Sequence, residues 1–325
     1  MRKLLRRRLL AAFPLLLAVT FVTQALLVAG PGNYFDSLAA GGQIPARRLE
    51  QLKRQFGLDS EEVTVRYGRW ARGVMRGDWG YSFRYQTPVG GLIRERLGNT
   101  LLLTGAALLL AWGLAIPLGA LAAARQGGRA DRALGLVASF SLAMPTALAS
   151  LLAVWLAART GWFPTGGTHD PVRWEEFSAL ERFGDRLRHL FLPAVTLCLP
   201  GLAQYLGQIR SEMIETLGRD HIRTARAKGL GEGRVLFRHA LPEALAPAAS
   251  LFGFSLAQLL TGAVLTEQIF AWPGLGRLSV EALLAKDEPL VMASVTLVTL
   301  MLLAGNLIAD LLLARLDPRV RMEGA

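Results

Sequence analysis

Residues 97–124 read LGNTLLLTGAALLLAWGLAIPLGALAAA, a run in which no side chain is charged. An α-helix rises about 1.5 Å per residue, so about 20 apolar residues cross the roughly 30 Å hydrocarbon core of a bilayer. The run is therefore long enough to span a membrane as one helix. It decides the fold class, because runs of the same kind lie on both sides of it.

The apolar residues are concentrated in six such runs, which together exclude a soluble fold. The chain has 325 residues, 52% of them hydrophobic, and a mean hydropathy of +0.34. We predict an all-α membrane protein with six transmembrane helices. The first lies within residues 1–30, and the others lie at about 99–124, 133–158, 190–209, 244–266 and 290–313, inside a core domain of 97–315 that is followed by a tail, 316–325.

The net charge of +11 follows the membrane topology. If the N-terminus is cytoplasmic, the inner segments 2–8, 125–132 and 210–243 carry +5, +2 and +2, whereas the short outer loops 159–188 and 267–288 carry 0 and −2. The long outer segment 30–97 carries +4, but segments longer than about 60 residues cross largely regardless of charge. This is the positive-inside bias of membrane proteins. It places both termini in the cytoplasm of a multi-pass protein of the cell membrane, and it explains the basicity without nucleic acid as a partner.

The N-terminus is open to two interpretations. Its basic start followed by apolar residues fits a cleaved signal peptide. However, its apolar run of about 20 residues exceeds the ~7–15 residues of a signal peptide core. We therefore expect a retained anchor helix.

Residues 31–96 are polar and mixed, and we expect them to form a small helical segment on the outer face. Apolar residues recur at helical spacing in 47–56, which predicts a short amphipathic helix, and 63–76 predicts a second. Thr87 and Pro88 lead into the second span. Pro117 and Pro145 predict kinks in the second and third spans, which membrane helices tolerate when neighbours satisfy the freed carbonyls.

Polar side chains inside the later spans mark a possible path through the membrane. Such side chains are costly in lipid, so they should face a bundle interior or a water-filled path. Hydrogen bonding between helices is the alternative role. The candidates are Gln204, Gln208 and Gln258, with Asn306 and Asp310 near the cytoplasmic end of the sixth span.

Between the fourth and fifth spans lies RTARAKGLGEGRVLFRHALP, residues 223–242, which we call the basic segment. Spacing predicts one helix over 211–228, with Ile214, Leu217, Ile222, Ala225 and His221 on one side. Gly229 follows as a left-handed cap. A second short helix, 232–240, carries Val235, Leu236 and His239 on one side, and Leu241-Pro242 breaks it. The result is a helix–turn–helix along the cytoplasmic surface. A passive amphipathic loop resting on lipid headgroups is the alternative.

At these residues the sequence resembles ABC importer permeases, whose cytoplasmic "EAA" loop follows the pattern E-A-A-x3-G-x9-I-x-L-P. Aligned on Gly229, the E-A-A positions fall on Arg223, Thr224 and Ala225, the I position on His239, and L-P on Leu241 and Pro242. Arg223, Thr224 and His239 depart from the pattern. The departures resemble the dipeptide, oligopeptide and nickel branch, in which R-T-A-R-A-K-G-L is usual.

The resemblance extends over nearly the whole chain. Its phrases include GLD at 57–59, MRGDWGYS at 75–82, RLGNTLLLT at 96–104, IPLG at 116–119, GWFPTGG at 161–167, WPGLGR at 272–277 and LDPRVR at 316–321. In this order they identify the chain as similar to the first permease subunit of a dipeptide or oligopeptide importer.

The resemblance implies a type I ABC importer permease fold and a set of partners. A second permease would complete a heterodimeric translocation path, two ABC ATPase subunits would drive it, and an extracytoplasmic solute-binding protein would deliver the substrate. A coupling loop, 211–242, would dock onto an ATPase through Arg223, Thr224, Ala225, Lys228, Gly229, Leu230, His239, Leu241 and Pro242. Because Arg223 replaces the usual glutamate, we expect shape and apolar contact around Ala225, Gly229 and Leu230 to carry the docking.

The sequence also predicts that this chain does not hydrolyse ATP itself. A P-loop needs a lysine followed by serine or threonine. The lysines are Lys3, Lys53, Lys228 and Lys286, and none is followed by either residue. We expect a non-catalytic subunit that binds no cofactor, with ATP and Mg used by the partner ATPases. The single Cys198 and the scattered histidines predict no metal site.

Two other function classes remain as alternatives. An ion-coupled secondary transporter would carry ionisable groups near the midplane of its spans, and Asp310 lies close to a helix end instead. An intramembrane enzyme would need a nucleophile and base at membrane depth, where Ser139 and Ser141 have no histidine or lysine nearby in sequence.

Overall fold

The computed structural model of the chain describes residues 2–30, 32, 34–40, 45, 50, 51, 54 and 62–316, and it is predominantly helical. The prediction of an all-α membrane protein is confirmed. In chain order the elements are α1 (Arg2–Ala29), α2 (Tyr34–Ala40), α3 (Val63–Met75), β1 (Tyr81–Ser82), β2 (Thr87–Pro88), α4 (Val89–Ala124), α5 (Arg129–Ala143), α6 (Thr146–Thr160), α7 (Ala179–Leu217), α8 (Asp220–Ala227), α9 (Glu232–Arg234), the π-helix π1 (Val235–Ala240), α10 (Leu241–Ile269), α11 (Leu275–Leu284) and α12 (Glu288–Leu316).

Within the described residues, four helical stretches are long and apolar enough to cross a membrane, or five if a bent pair counts as one span. The predicted fifth span falls on α10, whose side chains are described only in part. The count of six therefore stays a prediction. The four stretches are Leu10–Asp36, Val89–Ala124, Ala179–Leu217 and Glu288–Ile308.

The third predicted span is not a single helix, and the kink predicted at Pro145 is a break between two helices. The chain bends by 102° between α5 and α6. Met144 at the corner is extended, with φ −84° and ψ 116°, and Pro145 precedes the first residue of α6. A proline disfavours helical dihedrals in the residue before it, so the helix ends there and a new one begins.

α7 is longer than the span predicted over 190–209, and its ends explain why. It starts at a capping box, in which Ser178 accepts a hydrogen bond from the Glu181 amide and Glu181 accepts one from the Ser178 amide. Such a box satisfies two amides that the first turn leaves free. Its 39 residues correspond to a length of ~58 Å, so α7 extends beyond a hydrocarbon core of roughly 30 Å.

The chain divides into two compact units. The first holds Leu101–Trp272 together with residues 2–5 and 304–316. Its core contains residues of α4, α7, the basic segment and α10, including Leu103, Tyr205, Ile209, Met213 and Ala263, each almost fully buried.

The second unit holds Arg6–Thr100 and Pro273–Leu303. Its apolar core joins Val89 and Ile93 of α4 to α11 and the start of α12. Polar anchors lie beside this core: Glu288 of α12 accepts a 2.9 Å hydrogen bond from Gln24 of α1 and pairs with Arg66 of α3. These contacts fix α1 and α3 against the first turn of α12.

The helix predicted over 63–76 is confirmed as α3. The one predicted over 47–56 falls almost wholly outside the described residues. The sequence did not predict the short antiparallel pair of β1 and β2, in which Tyr81 pairs with Pro88. Ser82 of this pair donates a 2.6 Å hydrogen bond to Asp287, which anchors it before α12.

Candidate functional site

The helix predicted over 211–228 is divided by a turn, so its predicted extent is wrong. α7 ends at Leu217, and α8 begins at Asp220. Arg219 between them is extended, with φ −77° and ψ 151°. Gly218 weakens the helix at this point, since a helical glycine costs roughly 1 kcal/mol relative to alanine. An acidic first-turn residue such as Asp220 favours a new helix start.

The left-handed cap predicted at Gly229 is confirmed. Its φ is +77°, a conformation that glycine adopts without a Cβ penalty. The Gly229 amide donates to the Arg226 carbonyl at 2.9 Å, and the Leu230 amide donates to the Ala225 carbonyl at 3.4 Å. This is the Schellman motif that closes helix C-termini. It reverses the chain between α8 and α9 without a flexible linker.

The second helix of the basic segment is mostly a π-helix, and this corrects the prediction for His239. In an α-helix, residues four apart such as Val235 and His239 lie on one side. In a π-helix the hydrogen bonds join residues five apart, so Val235 aligns with Ala240 instead. Val235 and Ala240 are both fully buried, whereas His239 is exposed.

Pro242 does not break the helix, so that prediction is also wrong. The chain passes from π1 into α10, with Leu241 in helical dihedrals of φ −60° and ψ −44°. Pro242 occupies the first turn of α10. The proline ring fixes φ near −65°, a value that helical residues share, so the backbone continues through this position.

One side of the basic segment, together with Ile222 just before it, is part of the core of the first compact unit. Ile222 and Ala225 of α8, and Val235 of π1, are buried in the same cluster as Ile209 and Met213 of α7. Leu230 and Leu241 are half-buried and pack against this cluster. Ala225 is only 8% exposed, so in this conformation its side chain is not available as an apolar docking contact.

The other side of the segment is exposed to solvent and rich in cations. Thr224 donates a 2.9 Å hydrogen bond to the Asp220 carbonyl, which folds its hydroxyl back onto α8. Phe237, which the sequence analysis did not single out, is 59% exposed. The predicted residues on this side are Arg223, Thr224, Lys228, Gly229, His239 and Pro242.

Ion pairs hold the base of the segment together, and Glu243 of α10 is their common acceptor. It pairs with Arg219, which also bonds Glu215 of α7 at 2.8 Å. The His221 ring nitrogen lies 2.9 Å from the same carboxylate. His221 is therefore exposed and paired with an acid, which corrects its predicted place on the apolar side. The sequence analysis missed Glu243 because its partners lie more than 20 residues away.

Comparison with known proteins identifies the family. The model described as "Binding-protein-dependent transport system inner membrane component" matches residues 115–322, and "Binding-prot-dependent transport system membrane comp, N-term" matches residues 1–104. The chain belongs to this family. It is a multi-pass membrane permease subunit of an ABC importer, a class that works with ATPases and a binding protein.

Similar curated permeases align over almost their whole length. An oligopeptide transport system permease protein of Bacillus subtilis (strain 168) is 38% identical over 316 residues, which are 97% of this chain and 98% of that protein. A dipeptide transport system permease protein of Escherichia coli (strain K12) is 35% identical over 338 residues, 99% of both. A putative peptide permease of Brucella ovis is 33% identical over 318 residues, 97% of this chain and 98% of that protein.

The three predicted path glutamines lie on α7 and α10, which pack together, and the other two candidates lie on α12. Gln204 is exposed on α7, and Gln208, four residues later on the same face, is half-buried and donates a 2.8 Å hydrogen bond to Glu212. Gln258 is exposed on α10. Asn306 on α12 is also exposed, and Asp310 is half-buried. Their role in a path stays a prediction.

Proposed function

We propose that this permease forms half of a translocation path for peptides and that its basic segment docks onto a separate ATPase subunit. The observation that carries the proposal is the two-sided construction of the segment. Its inner side belongs to the same core as α7, and its outer side is exposed and basic. A surface rigidly joined to a membrane-crossing helix is suited to pass a partner's movement to that helix.

The substrate class rests on the relatives, whose names specify peptides. Gln204 and Gln258 supply amide groups that can donate to and accept from a peptide backbone. They lie on α7 and α10 outside the buried core. A second permease facing these helices would complete the path.

The remaining partners follow from the same proposal. A heterodimer of permeases in the lipid bilayer of the cell membrane, both with cytoplasmic termini, would receive substrate from an extracytoplasmic binding protein. Two ATPase subunits would bind ATP and Mg, and this chain would bind neither. The basic segment would then lie on the cytoplasmic face, where the ATPases are.

A backbone substitution tests the docking. Gly229→Pro forces φ to about −65° where the structure has +77°, so it should destroy the Schellman turn and abolish ATPase association and transport. Gly231 has φ −60°, which proline adopts, so Gly231→Pro is the matched control and should retain both. Deletion of residues 224–236 should act like Gly229→Pro while the protein still inserts into the membrane.

The outcome against docking is specific. If the variant lacking 224–236 copurifies with the ATPases as well as the wild type does, the basic segment is not the docking surface. Uptake into energised vesicles without ATP or ATPases would support an ion-coupled carrier in place of an ATP-driven importer.

A second experiment addresses the path. Substitution of Gln204, Gln208 or Gln258 by leucine replaces the polar amide with an apolar side chain of similar size. If these residues line the path, uptake across a panel of peptides should change in relative rates while the complex assembles normally. Unchanged uptake of every peptide would make the three glutamines structural.

A further inference from the structure

Phe237 is the one large apolar side chain that residues 223–242, all of them described, expose to solvent. Its exposure follows from the π-helix. The wider turn directs Val235, Leu236 and Ala240 into the core and leaves Phe237, Arg238 and His239 outside. Short π-helical turns are rare and frequently occur at functional sites. An aromatic side chain presented in this way has the character of an interface anchor.

The segment that carries Phe237 also carries five cations, and only two of them have a carboxylate partner among the described residues. Arg226 bonds Glu232 at 2.9 Å, and Arg223 lies 3.5 Å from Asp220. Lys228, Arg234 and Arg238, in contrast, have no carboxylate within ion-pair distance among the described residues. All three are exposed. The segment therefore presents one exposed aromatic ring together with positive charge that no carboxylate of the described residues pairs with.

We infer that the groove receiving the basic segment has an apolar pocket for Phe237 and an acidic rim facing Lys228, Arg234 and Arg238. The inference rests on the proposed function and adds the chemistry of the partner. Because Arg223 stands where the family pattern has glutamate, a basic groove matched to a glutamate would repel this surface. Complementary potentials across an interface set partner choice and association rate.

An anionic membrane surface is the competing occupant, and the segment's own packing disfavours it. Interfacial amphipathic helices bury a continuous apolar face among lipid headgroups. Here Ile222, Val235 and Leu236 are already used in the protein core, which leaves Phe237 alone for insertion. A single aromatic anchor with flanking cations fits a pocket in a protein better than a bilayer surface.

The test measures binding of the purified ATPase subunits to the permease pair reconstituted in nanodiscs of neutral lipid. Phe237→Ala should weaken binding about 30-fold, as expected for a central aromatic anchor. Its control is Phe140→Ala, since Phe140 is 64% exposed on α5, away from the segment. If Phe237→Ala and the wild type bind the ATPase subunits with equal affinity, the ATPase has no pocket for Phe237.

The rim is tested by charge reversal. Arg234→Glu combined with Arg238→Glu should weaken ATPase binding at least tenfold at low salt and reduce the salt dependence of the remaining affinity. Arg125→Glu is the matched control, because Arg125 is exposed in the turn before α5. A carboxylate-to-lysine change in the ATPase that restores binding of the reversed permease would identify the rim directly.

Three further outcomes separate this inference from the proposed function and from binding to lipid. If the reversed variant binds as tightly as wild type, or tighter, the rim is not acidic, although docking itself stands. If the variant lacking 224–236 also binds normally, the docking proposal fails. If charge reversal leaves ATPase binding unchanged, and amide exchange in residues 223–242 of the wild type is slower in nanodiscs of anionic lipid than in those of neutral lipid, the occupant is the membrane.

Discussion

Arg210 of α7 donates two hydrogen bonds, of 2.5 and 2.8 Å, to the carboxylate of Asp131 in the first turn of α5. The same carboxylate accepts a 2.9 Å bond from the Gly127 amide. Paired, charge-assisted bonds of this geometry are among the stronger polar contacts in proteins. The pair ties the turn between α4 and α5 to the end of α7 that leads into the basic segment.

Loss of this pair should loosen the turn. Arg210→Met keeps the apolar stem but leaves Asp131, 7% exposed, without its cation, so the melting temperature should fall by a few degrees. Arg129→Met, an exposed cation of the same turn, should change it little. The measurement is thermal unfolding of the purified protein in detergent. Equal melting temperatures for the two variants would show that the pair contributes nothing.

Gly119 of α4 lies against α7 with no room for a side chain. A Cβ placed there would be 2.9 Å from Ile209 Cγ2 and 3.1 Å from the Leu206 carbonyl oxygen. Gly119→Ala should therefore destabilise the protein by about 1–3 kcal/mol through overpacking. Gly113→Ala on the same helix, where nothing lies within 4 Å, should be neutral or slightly stabilising. Chemical unfolding of both variants checks this, and a neutral Gly119→Ala would contradict the tight packing.

Glu288 is the shared partner of Gln24 and Arg66 in the second compact unit, and its removal should be costly. The Arg66 and Glu288 side chains are 10% and 16% exposed. Glu288→Gln would remove the charge of the carboxylate that pairs with this largely buried guanidinium, which should weaken the attachment of α3 to α12. Glu95→Gln, at an exposed position of α4, is the control. Faster proteolysis within α3 in Glu288→Gln alone is the expected result; equal rates would mean that the pair does not hold α3.

The carboxylate of Asp170 accepts hydrogen bonds from two backbone amides in the loop between α6 and α7. Its contribution to the stability of this loop should depend on pH. Hydrogen bonds from the Val172 amide at 2.8 Å and the Arg173 amide at 3.3 Å lower the pKa of this carboxyl below its usual range. A carboxyl whose folded pKa is lowered stabilises the fold above its unfolded pKa of about 4, and the stabilisation is lost as pH falls toward the folded pKa.

Hydrogen exchange measures this effect. Protection of the Val172 and Arg173 amides should decrease between pH 5 and pH 3 in the wild type. Asp170→Asn, which cannot titrate, should show lower protection at pH 5 and little further change. Parallel pH profiles for the two proteins would exclude Asp170 as the titrating group.

The spans were predicted as runs without charged residues. The helices continue into charged residues at their ends, so the predicted spans are too short. α7 continues through the charged residues on both sides of 190–209, because the capping box at Ser178 and packing around Met213 support a helix there. The sequence also does not show which prolines interrupt a helix. Pro193 and Pro200 lie inside continuous α7, whereas the chain breaks at Pro145. Which outcome follows depends on tertiary neighbours that satisfy the freed carbonyls, and these are not visible in the local sequence.

The turn of the basic segment could be predicted from the sequence. Which residues lie on its buried and exposed sides was harder to predict. Gly229 is a local signal, since only a residue tolerant of positive φ fits a Schellman cap. The side on which His239 lies depended on the helix type. The apolar spacing of Val235 and Ala240 matches a π-helix, but α-helices are far commoner, so α spacing was the natural expectation. The pairing of Glu243 with Arg219 required the folded chain.

α7 runs without interruption from its cap at Ser178 to Leu217, and the basic segment shares its core. If the segment docks onto an ATPase as proposed, its displacement would be passed along this continuous helix toward the far end of α7. A substitution that softens the middle of α7 should then lower the number of solutes moved per ATP consumed while leaving ATPase affinity intact. Thermodynamic efficiency and docking strength would be separable properties of one continuous helix.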